Sequence, residues 1–140
     1  MAAAAHLVDN SVLTRMGKGP VASRIEPMIV SGTLATCSMT DLELLFSARN
    51  GEEHRARRDD FALRFLHVQL DQRMFDRAIE VQGLLAEKAQ HRAASIPDLV
   101  VAAAAEHAGL TVLHYDADFD LIATVTAQPT EWVVPRGSVD

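Results

Sequence analysis

The sequence has little cysteine and few aromatic residues. Cys37 is the only cysteine among 140 residues, which excludes a disulfide framework and a cluster of thiolate metal ligands. It lies in the apolar stretch TLATC, where we expect a small buried side chain rather than a nucleophile. Aromatic residues make up 5% of the chain, so the core must be built from Ala, Val, Leu and Ile.

Long apolar runs and an excess of basic residues are also missing. No run approaches the roughly 20 apolar residues of a membrane span. The opening MAAAAHLV lacks the basic region and the cleavage site of a signal peptide. The formal net charge of −6 argues against a protein that holds nucleic acid by overall positive charge. We therefore expect a soluble, cytoplasmic protein, and its acidic groups leave room for a cation site.

The composition is that of a globular protein, with 49% apolar and 23% charged residues. The length fits one domain over residues 1–140. Apolar runs typical of strands alternate with helical patterns, and this alternation predicts an α/β fold, an open parallel sheet with helices on both faces. The predicted strands lie in AHLVD, TLATC, TVLHY and EWVVP, the last continuing into VVPRGS.

The segments between these strands predict helices of different character. A helix that begins near Ser11 must be brief, and RIEPMIVSG, interrupted by Pro27, predicts a short helix or two turns. SIPDLVVAAAAEHAG predicts a helix from about Pro97 to Gly109 that is apolar all round and therefore buried. An amphipathic helix is predicted by one stripe of residues: Met74, Phe75, Ala78, Ile79, Gln82 and Leu85.

Acidic residues recur where predicted strands end and helices begin, and each has a structural explanation. Asp9 and Asp116 follow predicted strands and suit helix N-caps. Glu43 stands three residues after Thr40, the spacing of a capping box. Asp98 lies at the start of a helix, where the macrodipole stabilises a negative charge. Asp118 and Asp120 suit the solvated first turn of another helix.

The acids as a set are harder to explain structurally. Ligands of open parallel sheets bind beyond the carboxyl ends of the strands, and the predicted crossovers bring Asp9, Glu43, Asp98 and Asp116 toward that edge. Carboxylates crowded together raise one another's pKa unless a cation neutralises them. Oxygen ligands suit Mg²⁺ or Mn²⁺, and the six histidines show no HxxxH spacing that would favour zinc.

Four segments together resemble the PIN-domain ribonucleases, and among these the VapC-type toxins of VapBC toxin–antitoxin pairs. They are LVDNSVL, TDLELLFSAR, HRAASIPDLVVAAAAEHAGLTVLHYDADFDLIA and EWVVP, in the family's order and from about Leu7 to Val134. The resemblance implies a three-layer α/β/α sandwich with a parallel sheet of four or five strands. It also implies an acidic Mg²⁺/Mn²⁺ pocket, endoribonuclease activity, and inhibition by a VapB-type antitoxin whose C-terminal segment enters the pocket.

The resemblance assigns roles to individual residues. The family's four acids match Asp9, Glu43, Asp98 and Asp116, and a further acid of many members matches Asp118. Small polar residues beside the first acid match Asn10 and Ser11. The sequence departs from the family at His114, where members often carry Thr or Ser.

The expected chemistry is hydrolysis of RNA by a metal-activated water, leaving 5′-phosphate and 3′-hydroxyl ends. We expect Asp9, Asp98 and Asp116 to be direct or water-mediated ligands, Glu43 a ligand or the base that orients the water, and Asp118 part of a weaker second site. His91 and Arg92 are candidate phosphate contacts, whereas RARRDD is better explained as a salt-bridged, solvated helix face, with Glu53 and Arg57 as a pair.

Other functions fit less well. A phosphatase with an aspartate nucleophile needs a second Asp two residues after Asp9, where Ser11 stands. A receiver domain needs a Lys after a late strand, and EWVVP offers none. A non-catalytic cation-binding or protein-interaction module of the same fold stays open. The apolar stripe of MFDRAIEVQGLL also suggests a surface for a homodimer or an antitoxin.

Overall fold

A computed structural model describes residues 3–140 of the chain. Within that range five strands and seven helices are present. The strands are β1 His6–Val8, β2 Leu34–Cys37, β3 Leu66–Val68, β4 Thr111–His114 and β5 Thr130–Trp132. The helices are α1 Asn10–Leu13, α2 Gly19–Ser31, α3 Ser38–Phe46, α4 Gly51–Arg64, α5 Gln72–Ala86, α6 Ile96–Ala108 and α7 Asp118–Thr126.

The strands form one sheet in the order β3-β2-β1-β4-β5, and every pairing is parallel. One apolar cluster lies between the sheet and α5, α6 and α7, and a second contains residues of α1 and α2 on the other side. The predicted α/β/α sandwich with a parallel sheet is therefore confirmed. β1 and β4 are central neighbours, so the residues that follow them emerge side by side.

Helix α6 is buried as its composition predicts. Every residue from Asp98 to Ala105 is buried, because the small alanine side chains let the helix lie close to the sheet and to α5. Ser95 caps its start by accepting a hydrogen bond from the Asp98 amide at 3.2 Å. Gly109 ends it at φ +70°, a left-handed conformation that favours glycine. Cys37 is fully buried, as expected.

The prediction for RIEPMIVSG was wrong, since this stretch belongs to the 13-residue helix α2. Pro20 lies in the first turn of α2, where no amide hydrogen bond is lost. Pro27 lies on the exposed side, while Val21 and Ile25 keep the helix anchored in the core. The free energy gained by burying Val21 and Ile25 outweighs the one main-chain hydrogen bond that Pro27 cannot donate.

The capping box predicted for Thr40 and Glu43 is also wrong. Helix α3 begins at Ser38 after Cys37, so Thr40 is inside the helix rather than before it. The buried Thr40 hydroxyl donates instead to the Val8 carbonyl at 3.5 Å. A helix that begins earlier leaves Glu43 without a capping role.

One further expectation needs correction. VVPRGS does not continue the last strand, because β5 ends at Trp132, and Tyr115 Oη binds the segment beyond it through Gly137 and Val139. The predicted amphipathic helix is confirmed as α5, and its stripe is half exposed: Met74 and Ala78 are buried, whereas Phe75 and Ile79 are 40% and 66% exposed. Among residues 3–140, no helix combines the length and the apolar composition that crossing a membrane needs.

Candidate metal centre

Five elements of the fold bring carboxylates to one edge of the sheet. Asp9 follows β1 and Asp116 lies two residues beyond β4. Asp98 lies in the first turn of α6, and Asp118 begins α7. Glu43 projects from α3, and the pKa of its side chain is raised by the charges of Asp9 and Asp116 in addition to burial, its largest cause. The predicted convergence of the acids is therefore present.

Asp9 is both a helix cap and an incompletely bonded acid. Its amide donates to the Leu113 carbonyl at 2.9 Å, which fixes it beside β4. Its Oδ2 accepts from the Ser11 amide at 2.9 Å, so the N-cap prediction is correct. Its Oδ1 has no hydrogen-bond partner within residues 3–140, although the residue is only 2% exposed. Burial is the largest cause that raises its pKa, and the charge of Asp116 adds to it.

Asp98, Asp116 and Asp118 form the tightest part of the group. One carboxylate oxygen of each lies within 4.8 Å of the others. Asp116 Oδ1 accepts from the Asp118 amide at 2.9 Å, and Asp118 Oδ2 accepts from the Ser95 amide at 3.1 Å. The start of α7 is thereby joined to the start of α6, which holds the three acids in a fixed arrangement.

Asp98 is the most perturbed acid of the group. It is 4% exposed, and its Oδ2 finds no partner in the described part of the chain. Burial, followed by the charge of Asp9, raises its pKa to about 9, with Asp116 and Asp118 contributing. Without a cation, the folded chain therefore holds a proton on Asp98 at neutral pH.

Neutral polar groups complete the surroundings of the acids. Ser11 Oγ accepts from the Tyr115 amide at 2.9 Å and joins α1 to the end of β4. The Asn10 side-chain oxygen is buried without a partner among residues 3–140. His114 Nδ1 accepts from the Asp116 amide at 3.1 Å, and burial lowers the pKa of the ring. The histidine thus supports the main chain of Asp116.

The donor set of this site suits a hard divalent cation. Buried oxygens of Asp9, Asp98 and Glu43 lack partners in residues 3–140, and no thiolate or imidazole belongs to the tightest group. A bound cation would satisfy these oxygens and would remove the repulsion that raises the pKa of the acids. The residues present therefore fit a site for Mg²⁺ or Mn²⁺.

The remaining candidates do not belong to the acidic group or were not recognised in the sequence. His91 and Arg92 are exposed in the segment before α6. Arg57 donates to Glu53 and Ser47, as expected for a salt-bridged helix face. Three side chains that surround a neighbouring cavity together with Arg15 were missed: Tyr115, Trp132 and Arg136. The parallel pairing of the last two strands could have indicated them, because it places Trp132 beside His114 at the end of β4.

Comparison with known proteins agrees with this geometry. A profile of the PIN domain matches residues 6–125. Ribonuclease VapC21 of Mycobacterium tuberculosis is 45% identical over 137 residues, covering 95% of this chain and 96% of that protein. Ribonuclease VapC51 of the same organism is 44% identical over 135 residues, covering 96% and 97%.

Solved structures show the same fold at low sequence identity. A DNA-bound VapBC from Salmonella typhimurium superposes with a TM-score of 0.76 at 17% identity, over 94% of this chain and 99% of that one. VapBC2 from Rickettsia felis, bound to a promoter DNA fragment, superposes with a TM-score of 0.74 at 16% identity, over 91% of this chain and 98% of that one. Family profile, sequence relatives and fold agree, and the chain belongs to the PIN-domain family and, within it, to the VapC group.

Proposed function

We propose that this chain is a Mg²⁺-dependent endoribonuclease, the toxin of a toxin–antitoxin pair, in which Mn²⁺ can replace Mg²⁺. The observation that carries the proposal is the group of buried carboxylates around Asp98, whose pKa is raised to about 9. Such a group is costly to the metal-free chain, even though Asp9, Asp116 and Asp118 each accept a main-chain hydrogen bond. The relatives called Ribonuclease VapC support RNA as the substrate.

Each acid has a place in the proposed chemistry. Asp9, Asp98 and Asp116 hold the cation directly or through water, and Asp118 belongs to a weaker second position. When bound, the divalent cation screens the phosphodiester charge and lowers the pKa of a water molecule. Glu43, whose pKa is raised by burial and by its acidic neighbours, is suited to orient that water and to take up its proton.

Among the neutral neighbours, Asn10 offers an oxygen that has no partner within residues 3–140, and Ser11 accepts from the Tyr115 amide. Both are proposed to support the substrate side of the pocket. His91 and Arg92 remain proposed phosphate contacts, since both are exposed just before α6. The products carry 5′-phosphate and 3′-hydroxyl ends.

The direct test is cleavage of a mixed cellular RNA pool by the purified chain. The reaction is run with Mg²⁺, with Mn²⁺ and with chelator, beside Asp116→Asn and a matched exposed control, Asp59→Asn. We expect cutting with either metal by the wild type and by Asp59→Asn, none with chelator, and none by Asp116→Asn. Ligation-based mapping of the ends checks for 5′-phosphate. Equal cutting by wild type and Asp116→Asn would contradict the proposed site.

The alternative is a non-catalytic cation-binding or interaction module, and the same assay decides it. If antitoxin-free protein binds Mn²⁺ but cuts no RNA, the module replaces the nuclease. If mass spectrometry finds a co-purified peptide, denaturation and refolding without it must precede the assay. This control keeps inhibition separate from inactivity.

An antitoxin partner is proposed because the structural neighbours are VapBC complexes. Its C-terminal segment is proposed to enter the acidic pocket, and a cavity of about 450 Å³ between α3 and α4 is proposed to hold another part of the antitoxin. Leu42, Leu45 and Phe61 supply apolar walls, and Arg58 supplies a positive charge. Co-expression with a cognate VapB-type antitoxin should protect Arg58 and Phe61 from hydrogen exchange at their amides. An unchanged exchange pattern there would place the partner elsewhere.

A homodimer is proposed from the exposed apolar residues Phe75, Ile79 and Ile96 of α5 and α6. Phe75, Ile79 and Ile96 line one shallow cavity with Leu99 and Val100, so they form a continuous patch. Sedimentation equilibrium should give twice the 15.2 kDa chain mass. Ile79→Glu should restore the single-chain mass, and a monomeric wild type would contradict the proposal.

A further inference from the structure

A second cavity, of about 500 Å³, opens beside the acidic group. Ser11 and Asp116 line it on the side of the acids, and Arg15, Tyr115, Trp132 and Arg136 line the remainder. Its volume is in the range of ligand-binding cavities. A substrate whose phosphate lies at the acids therefore has an adjoining space bordered by aromatic and guanidinium groups.

The aromatic and guanidinium groups are stacked in pairs. The Arg15 guanidinium carbon lies 4.7 Å from the centroid of the Tyr115 ring, and that of Arg136 lies 5.6 Å from the Trp132 ring. The two rings meet edge to face at 5.3 Å between centroids. Arg136 is exposed and forms no ion pair within residues 3–140, so its outer face is open to a ligand.

The rings are held rigidly by contacts that leave the cavity open. Trp132 Nε1 donates to Asp120 Oδ2 at 3.1 Å, and the His114 ring lies 4.9 Å away. Tyr115 Oη donates to the Val139 carbonyl at 2.8 Å and accepts from the Gly137 amide at 2.9 Å. Arg15 Nη1 donates to the Ser11 carbonyl and Arg15 Nε donates to the main-chain oxygen of Asp140. Its Nη2 makes no hydrogen bond within residues 3–140.

Fixed aromatic rings stacked with arginines are the features with which proteins hold unpaired bases. Base pairs of an RNA duplex hide their faces, so only a single-stranded nucleotide can stack here. Because the chain carries a formal net charge of −6, a local positive charge at this cavity offsets an overall electrostatic repulsion of RNA.

We propose that this cavity is a nucleotide subsite for single-stranded RNA, next to the phosphate that is cut. The base stacks on the Arg136–Trp132 pair, and Arg15 contacts a phosphate beside it. The inference rests on the proposed ribonuclease function and names the residues that select an unpaired nucleotide there. It gives Asp120, which lies outside the acidic group, a positioning role through Trp132.

The test uses Trp132 as its own reporter, since it is the only tryptophan of the chain. A short single-stranded RNA of mixed sequence is titrated into the protein with Ca²⁺ as the divalent cation, and tryptophan emission is followed. A second RNA of the same length has abasic residues. We expect saturable quenching by the first RNA and a loss of quenching with the second.

Arg136→Ala is the decisive variant, with Arg73→Ala as its matched control. Arg73 is exposed and pairs with Asp71 near His107, at the end of α6 opposite Asp98. In Arg136→Ala, the RNA concentration that gives half-maximal quenching should rise about fivefold or more. In Arg73→Ala, this concentration should not change. Arg136→Lys should recover part of the binding, and Arg136→Ala should raise KM for cleavage with kcat unchanged.

The outcomes separate the subsite from the nuclease. Quenching that depends on Arg136 in a protein that cuts no RNA supports the subsite and contradicts the proposed activity. If the protein cuts RNA, but wild type and Arg136→Ala show the same RNA concentration at half-maximal quenching and the same KM, the subsite is overturned and the nuclease is not. Equal quenching by normal and abasic RNA also overturns it, because base stacking is then absent.

Discussion

Asp98→Asn should stabilise the metal-free chain and abolish its response to metal. Asp98 is 4% exposed, stands among the charges of Asp9, Asp116 and Asp118, and has a pKa raised to about 9. Asparagine keeps the size of the side chain and its place in the first turn of α6 but removes the ionisable group. A purely structural acid would give the opposite result, because its removal would destabilise the fold.

The sign and size of this effect follow from proton linkage. At low pH Asp98 is protonated in both the folded and the unfolded chain. As pH rises above about 4 the unfolded chain loses this proton while the folded chain keeps it up to about pH 9, so the free energy of unfolding falls across that window. At about 1.4 kcal/mol per pKa unit, the substitution should recover on the order of 2–4 kcal/mol at neutral pH.

The assay is thermal unfolding of metal-free protein at pH 5 and pH 8, followed by titration with Mn²⁺. At pH 8, Asp98→Asn should melt roughly 5–12 °C above wild type, and at pH 5 the difference should shrink. Mn²⁺ should raise the melting temperature of wild type through binding to the folded state, but not that of the variant. A variant that melts below wild type at pH 8, or gains as much from Mn²⁺, would contradict both the raised pKa of Asp98 and its role in metal binding. Asp59→Asn, an exposed control, should change neither value.

Three further predictions concern the scaffold. Gly109→Ala should lower the free energy of unfolding by about 1 kcal/mol, because Gly109 has φ +70°. Gly83→Ala should raise it by about the same amount, because Gly83 lies in the middle of α5 with open space around the new methyl group. Denaturant unfolding measures both changes. Ala104→Leu should destabilise by about 1–3 kcal/mol through overpacking of the fully buried face of α6, and a calorimetric melting temperature equal to wild type would contradict it. Gln128→Ala should cost about 1–2 kcal/mol because the buried amide donates to the Leu110 carbonyl at 2.7 Å, while RNA cleavage at low temperature should be unaffected.

Sequence patterns predict the parts of this fold that depend on local composition. The apolar helix from Pro97 to Gly109 follows from an N-terminal proline, an all-round apolar run and a terminal glycine, and α6 occupies that range within one residue. The strands β1 and β4 lie in the stretches that predict them. Their parallel pairing brings Asp9 and Asp116 together, so this part of the acidic group follows from the sequence as well.

Features that depend on tertiary context were missed. β3 is a short, largely exposed edge strand inside a segment with no strand periodicity, and its pairing with β2 defines it. The helix α2 continues through Pro27 because Val21 and Ile25, on its buried face, hold it in the core. The cluster of Trp132, Arg136 and Tyr115 exists only because β5 pairs with β4 and the following residues return to Tyr115.

The most direct test of the account is a crystal structure of the wild-type chain grown with Mn²⁺, measured for anomalous scattering. We expect a peak between the carboxylates of Asp9, Asp98 and Asp116, with oxygen ligands near 2.2 Å, roughly the distance expected for this class of ion. The peak should disappear in Asp98→Asn crystals of the same form. A Mn²⁺ peak confined to other residues, or no peak in crystals whose solution binds Mn²⁺ stoichiometrically, would contradict the claim that these acids form the metal centre.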